Sequence, residues 1–222
     1  MRRSTGNMID PRFALLGAAF SMIGSSAYAV YTMRGLARPN RVSWFLWALA
    51  PLIGFAAQVD DGVGWPAVST LAIGLGPVVI LAASFANRTG YWRLTGFDLS
   101  CGAVSVLALV LWATFDDPVL AVATAVIADL VGGIPTIRKA WRHPDTERSV
   151  VYVFGALNGI ITVLSLPQWT VAGAAFPAYL TCLGVGMTLV VRLRGRRRPT
   201  ASRASTDHRQ GVGDHPADRA GP

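Results

Sequence analysis

The sequence predicts an all-α membrane protein with seven transmembrane helices, arranged as two parallel three-helix bundles that a linker helix joins. The first observation is composition: 52% of the 222 residues are hydrophobic and only 14% are charged, whereas soluble domains carry about a quarter charged residues. The second is the charge-free stretch between Ser149 and Val191, which as a helix is roughly twice as long as the ~30 Å bilayer core is thick. The third is a loop motif that occurs in both halves of the chain.

The apolar composition also excludes several classes of protein. A net charge of +8 alone suggests nucleic-acid binding, but a water-soluble enzyme, a nucleic-acid-binding domain and a disulfide-stapled secreted module are incompatible with such long apolar runs. Cys101 and Cys182 each lie inside an apolar run without a second Cys or His at ligand spacing. We interpret both as unpaired apolar residues, and we expect neither a metal nor a cofactor.

Apolar runs of about 17 to 23 residues, separated by turn and charge signals, define the seven predicted spans. They cover residues 13–33, 42–59, 65–86, 99–115, 119–137, 150–166 and 169–191. Pro118 suits the first turn of the fifth span, where its missing N–H costs nothing. Pro167 and Gln168 suit a tight turn between the last two spans.

The first span has an alternative interpretation. Arg2, Arg3 and Arg12 precede it, and the Ala-Tyr-Ala triplet at 27–29 resembles a cleavage site, so this segment could be a cleavable signal peptide. A full crossing is favoured because residues 13–33 are longer than a typical signal-peptide core. The internal repeat described below also needs this span as a structural partner.

Basic residues alternate along the loops, which predicts the orientation in the membrane. The first, third and fifth loops and the segment after Val191 are basic, whereas the other three loops have no Arg or Lys. Those other loops are instead acidic or uncharged, and they carry Asp60, Asp61, Asp116 and Asp117. The positive-inside rule then places the odd loops and the C-terminus in the cytoplasm and the N-terminus outside, in the inner (plasma) membrane. Only the arginines before the first span favour the opposite orientation.

Five segments follow from these spans. They are an N-terminal extracytoplasmic segment (1–12), the first triple-helix bundle (13–88), the linker helix (89–117), the second bundle (118–191) and a tail (192–222). The tail has almost no large apolar residue, which predicts a disordered, basic cytoplasmic segment. Arg196, Arg197 and Arg198 are candidates for contacts with anionic lipid at about 1 kcal/mol per charge, with a plain topology anchor as the alternative.

The chain contains an internal repeat. Residues 34–40 (RGLARPN) and 139–145 (KAWRHPD) share the order basic, basic, Pro and Asn or Asp, and the GLG at 74–76 pairs with the GVG at 184–186. Spans one to three and five to seven are therefore expected to be equivalent units. The fourth span returns the chain to the outer side, so both units have the same orientation and are related by an axis along the membrane normal.

The second copy of this motif is similar to that of a known family. Residues 134–139 (IPTIRK) and 144–149 (PDTERS) resemble the PQ-loop segment of the SWEET and PQ-loop transporter superfamily, in which a Pro-Gln pair ends the first helix of each bundle. Residues 38–47 (RPNRVSWFLW) resemble uncharacterised bacterial membrane proteins of the same build. The resemblance spans about 13–191 and implies a small-solute transporter. A sugar substrate is not implied, because Thr136 stands in place of the second Gln and Val30-Tyr31 in place of the first pair.

Polar residues at one depth form a candidate substrate or proton site. Helix rise places Asp129 about 12 Å, and Asn158 about 13 Å, from the cytoplasmic boundary. Ser25 and Ser26 in span one and Thr181 in span seven have a similar depth. We therefore expect one polar layer near the middle of the membrane.

Asp129 is the leading candidate in this layer. An acid at this depth costs at least ~2.5 to 3.5 kcal/mol on insertion scales unless it is protonated, paired or hydrated. No Lys or Arg within the spans can pair with it, so desolvation favours its protonated form. A structural hydrogen bond between helices is the alternative, both for Asp129 and for Asn158.

Prolines and tryptophans complete the set of candidate residues. Proline inside a span kinks the helix, and the candidate hinges for rocking between the bundles are Pro51, Pro77, Pro135 and Pro177. Static kinks are the alternative. Trp44 and Trp47, at the start of span two, are candidates for lining the inner end of a pathway, with membrane-interface anchoring as the alternative.

These residues favour transport over catalysis. His143, His208 and His215 all lie outside the spans, so neither a membrane-embedded His metal site nor a Ser-His dyad can form and we expect no enzyme. The leading hypothesis is a membrane transporter that moves a small solute by alternating access, with Asp129 as candidate for a coupled proton. The alternative is a non-transporting membrane receptor or assembly factor on the same scaffold. A wet cavity around Asp129 and Asn158 favours the first, and a dry, packed interior favours the second.

Overall fold

The chain forms seven α-helices and one short 3-10 helix in a computed structural model that describes residues 9–10, 12–60, 65–87, 91–112, 114, 117–166 and 168–196. The α-helices are α1 (Phe13–Met33), α2 (Arg41–Asp60), α3 (Trp65–Ala86), α4 (Gly96–Trp112), α5 (Pro118–Arg142), α6 (Val150–Leu164) and α7 (Val171–Arg196), and the 3-10 helix is Pro144–Thr146. These described residues contain no strand, so the predicted all-α class and the number of helices are confirmed. The predictions for Arg2, Arg3, Asp61, Asp116, Pro167 and the tail from Arg197 onward lie outside the described residues.

Local side-chain chemistry explains where individual helices begin and end. The Asp117 carboxylate accepts hydrogen bonds from the N–H groups of Val119 and Leu120 at 2.8 and 2.9 Å, and Pro118 occupies the first turn of α5. At the end of α1, Gly35 has a φ of 70°, a left-handed conformation that costs glycine little. The chain can therefore turn sharply into the first loop.

The helices pack in the same order in both halves of the chain. Helix α3 packs against both α1 and α2, and α7 packs against both α5 and α6. Across the two triplets, α1 packs against α6 and α2 against α5, while α4 packs mainly on α5. Each contact between the triplets thus joins a first helix to a second helix.

The first, third and fifth loops meet at one end of the helices, which we call the odd-loop end. The Arg38 N–H donates to the Thr146 carbonyl at 2.9 Å, and the Trp92 N–H donates to the Pro39 carbonyl at 3.1 Å. The two copies of the repeated motif, 34–40 and 139–145, lie in the first loop and at the start of the fifth loop, respectively. The repeated segments therefore lie side by side.

The main apolar core joins the two triplets. It includes buried side chains from α1, α2, α3, α6 and α7, namely Tyr28, Trp44, Ile80, Tyr152 and Met187. The outer surface, by contrast, carries many large apolar side chains. On α4 alone, Leu99, Val104, Leu107 and Val110 are each more than half exposed.

Two helical segments of the described chain are long and apolar enough to cross a membrane: Phe13–Met33 and Gly173–Arg196. Four shorter helical segments are also apolar, and they are Arg41–Ile53, Thr70–Ala86, Gly96–Leu111 and Val150–Leu164.

Candidate functional site

A cavity of about 110 Å³ lies between the two helix triplets. Ser25 of α1, Asp129 of α5 and Asn158 of α6 line it, together with Trp44 and Trp47 of α2. These side chains come from four different helices. Ser25, Asp129 and Asn158 are candidates from the predicted polar layer, and Trp44 and Trp47 are the candidates for lining the inner end of a pathway. The structure brings them to one place.

The remaining candidates occupy different positions. Pro51 and Pro77 line the same cavity, whereas Pro135 lines a separate cavity of about 160 Å³ beside Arg138 and His143. Ser26 is exposed on the outer side of α1. The proline candidates therefore divide into two that border the central cavity and two that do not.

Thr181 and Pro177 belong to the contact between α6 and α7 rather than to the cavity wall. The Thr181 hydroxyl donates to the Pro177 carbonyl at 2.9 Å. A Cβ added to Gly159 of α6 would lie 2.7 Å from that same carbonyl, and one added to Gly184 of α7 would lie 2.6 Å from the Tyr152 carbonyl. Glycine at both positions lets the two backbones approach closely, which fixes one side of the cavity.

Asp129 is 5% exposed and has a hydrogen-bonding partner on α7. Its carboxylate accepts a hydrogen bond from the Tyr179 hydroxyl at 2.7 Å. The Trp47 indole N–H donates to the Asp129 backbone carbonyl at 3.4 Å, which joins α2 to α5. No Lys or Arg is among the described residues that line the cavity, so the carboxylate has no cation there. The sequence analysis did not identify Tyr179.

Asn158 lies where α6 crosses α1. Its side chain contacts the backbone of α1 at Gly17, where an added Cβ would clash with the amide oxygen. The Thr162 hydroxyl donates to the Asn158 backbone carbonyl at 2.8 Å. Asn158 is 4% exposed, so it both packs between helices and presents its remaining surface to the cavity.

Aromatic rings fill the space between the cavity and the odd-loop end. The centroid of the Trp44 ring lies 5.1 Å from that of Tyr28 and 5.0 Å from that of Trp47, the last pair edge to face. Tyr152 of α6 lines the cavity from the same side, and Phe176 of α7 lines it as well. The cavity wall is therefore aromatic as well as polar.

A second buried acid, Glu147 of the fifth loop, lies beyond these rings. Its carboxylate accepts hydrogen bonds from the hydroxyls of Tyr28 at 2.7 Å and Tyr152 at 2.9 Å, and it forms an ion pair with Lys139 at 2.5 Å. Lys139 also donates to the Arg38 carbonyl of the first loop. Burial lowers the pKa of the Lys139 ammonium, and the negative charge of Glu147 acts in the opposite direction.

The sequence analysis also missed this Glu147 cluster, which consists of Glu147, Lys139, Tyr28 and Tyr152. One signal was present: Lys139 is the only Lys and Glu147 the only Glu of the whole chain. They lie eight residues apart, Lys139 near the end of α5 and Glu147 in the loop that follows. Every other basic residue of the chain is Arg and every other acidic residue is Asp. The single Lys and the single Glu therefore indicate a specific ion pair.

Comparison of the chain with protein-family models, curated proteins and solved structures finds no match.

Proposed function

We propose that this protein is a multi-pass membrane transporter that moves a small solute by alternating access around the central cavity. Its scaffold would be of the PQ-loop type, with two parallel triple-helix units and α4 as the linker. Transport without a coupled proton and transport with a proton on Asp129 are both compatible with this mechanism.

The outer surface and the packing order support the membrane part of the proposal. Large apolar side chains are exposed along α4 and also along α1, where Phe13, Ile23 and Met33 are about half exposed. Apolar surface on this scale is unusual for a soluble monomer but expected where lipid is the solvent. The equivalent order of helices in the two triplets, with contacts of α1 to α6 and α2 to α5, supports an axis along the membrane normal.

The central cavity is the single observation that carries the transport proposal. It lies at the boundary between the two units, where relative movement of the units would change its access. Its wall joins Ser25, Asp129 and Asn158, which come from both units. A receptor or assembly factor on the same scaffold has no need for an internal cavity at this boundary, so the cavity favours transport.

The proposal is tested by filling the cavity without disturbing the helices. Gly155 lines the cavity, and a Cβ added there meets nothing within 4 Å. Gly155→Leu should therefore occupy the cavity at little cost. Gly186→Leu is the matched control, since Gly186 is an exposed glycine of α7 with equally open surroundings.

The measurement is a mass-spectrometric comparison of small metabolites in cells and medium, between cells that overexpress the protein and cells with an empty vector. We expect at least one solute to change with the wild type and with Gly186→Leu, and to return to the empty-vector level with Gly155→Leu. If no solute separates the wild type from Gly155→Leu, the transport proposal fails.

Reporter fusions test the orientation independently. A reporter that is active only outside the cytoplasm should be silent when fused after Val191 and active when inserted between Asp60 and Asp61 or between Asp116 and Asp117. A silent reporter at Asp116 would contradict the proposed seven spans.

A further inference from the structure

The charge of the central cavity restricts what can bind there. Asp129 is the only carboxylate among the described residues of the wall, and that part of the wall holds no Lys or Arg. Its hydrogen-bonding partners are the Tyr179 hydroxyl and the Trp47 indole, and both are neutral. An ionised Asp129 therefore needs a positive partner that the cavity wall does not supply, and an anionic solute would be repelled.

The volume of the cavity exceeds what a proton alone requires. A cavity of about 110 Å³ is several times the ~10 to 15 Å³ that a single water molecule needs. A proton on Asp129 would neutralise the acid, but it would leave this space unexplained. A solute of several heavy atoms accounts for both.

The remainder of the wall suits a cation better than a sugar. Trp44, Trp47, Tyr152 and Phe176 line the cavity, and aromatic rings attract cations through the negative charge of their π-faces. Polar side chains are few, chiefly Asn158 and Ser25 apart from the acid. A polyhydroxylated solute would lose many hydrogen bonds to water in such a cavity and regain few.

We propose that the central cavity binds a small organic cation, a primary or methylated ammonium group, with the Asp129 carboxylate as its counter-ion and the aromatic residues as its apolar wall. This inference rests on the proposed function, because it names the class of solute that the transporter would carry.

Calorimetric titration of the purified full-length protein tests the inference. The cationic probes are methylammonium, tetramethylammonium and choline. For each of the last two, the control is the uncharged isostere in which a tert-butyl group replaces the trimethylammonium group. We expect at least one cation to bind about tenfold or more tightly than uncharged solutes of its size. Asp129→Asn and Gly155→Leu should abolish this preference, and Gly186→Leu should retain it.

Failure of this inference can be distinguished from failure of the proposed function. If no cation binds better than the uncharged solutes, or if Asp129→Asn keeps the preference, the inference is wrong. The transport proposal still holds in that case if proteoliposomes take up an uncharged solute and Gly155→Leu blocks that uptake. If a cation binds selectively but labelled tetramethylammonium, methylammonium and choline never enter proteoliposomes, the cation site stands and the transport proposal fails.

Discussion

Two buried acids in this molecule have opposite surroundings. Glu147 accepts hydrogen bonds from two tyrosine hydroxyls and pairs with Lys139, and it is fully buried at the odd-loop end. Asp129 has one tyrosine partner, Tyr179, and lies in the wall of a cavity without a cation. The fold thus neutralises one acid internally and leaves the other to be neutralised from outside.

The difference assigns different roles to the two acids. The Glu147 cluster joins α1, α5, α6 and, through the Arg38 carbonyl, the first loop. Its charges are already satisfied, so we expect it to hold the odd-loop ends of the two helix triplets together. Asp129 contributes less to that cohesion, and its charge is available to a ligand or a proton.

The largest expected effect is that of removing the charge of Glu147. Glu147→Gln keeps the shape and an acceptor for the tyrosines but leaves the Lys139 ammonium buried without its counter-ion, which should cost about 3 to 5 kcal/mol of unfolding free energy. The measurement is denaturation by SDS titration in mixed micelles. The control is Lys139→Met combined with Glu147→Gln, which removes both charges and should regain most of the loss. A cost below about 1 kcal/mol for Glu147→Gln would contradict the proposed cohesion.

A smaller loss is expected when one tyrosine hydroxyl is removed from the same acid. Tyr28→Phe keeps the ring against Trp44 but removes a hydrogen bond to a charged group, which should cost about 1.5 to 3 kcal/mol in the same denaturation assay. Tyr31→Phe serves as the control, because Tyr31 lies on the same helix outside the Glu147 cluster and is half-buried. Equal effects of the two substitutions would mean that Glu147 does not use the Tyr28 hydroxyl.

Neutralising Asp129 should affect stability much less than neutralising Glu147. Asp129→Asn keeps an amide oxygen that accepts from the Tyr179 hydroxyl, and it leaves no buried cation without a counter-ion. The unfolding free energy should therefore change by about 1 kcal/mol or less. Uptake into proteoliposomes that depends on an imposed pH gradient should vanish in this variant if Asp129 carries the coupled proton. Full gradient-driven uptake by Asp129→Asn would exclude proton coupling through this residue.

Some helix bounds, and the similar level of several polar residues along their helices, could be predicted because both depend on local patterns. The limits of α1 and α3 coincide with the predicted spans, since apolar runs and flanking turn residues define them. By contrast, α5 and α7 each continue five residues beyond the predicted spans, to Arg142 and Arg196, and α4 begins and ends three residues earlier than predicted. The depth of Asp129, Asn158 and Ser25 follows from helix rise alone, and all three meet at one cavity.

The direction in which a side chain points, and its partner on another helix, could not be predicted. Ser25 and Ser26 differ by about 100° around the helix axis, and α1 is apolar on nearly every side, so no pattern distinguishes the buried serine from the exposed one. The partnership of Asp129 with Tyr179 depends on α7 packing beside α5. The packing of one helix beside another is a tertiary property, and neither the hydrophobic periodicity nor the residue spacing of the sequence encodes it.

The smallest effect is expected for the tyrosine beside Asp129. Tyr179→Phe removes a hydrogen bond to a carboxylate that also faces the cavity, and hydrogen bonds between membrane helices average about 0.6 kcal/mol. Tyr152→Phe is the matched substitution at Glu147, where the lost hydroxyl donates to an acid that forms an ion pair with the buried Lys139 and hydrogen bonds to charged groups cost more to lose. In parallel SDS denaturation, Tyr179→Phe should therefore cost less than half as much as Tyr152→Phe. The reverse order would mean that Asp129, rather than Glu147, holds the helices together, and it would assign the structural role to the cavity acid.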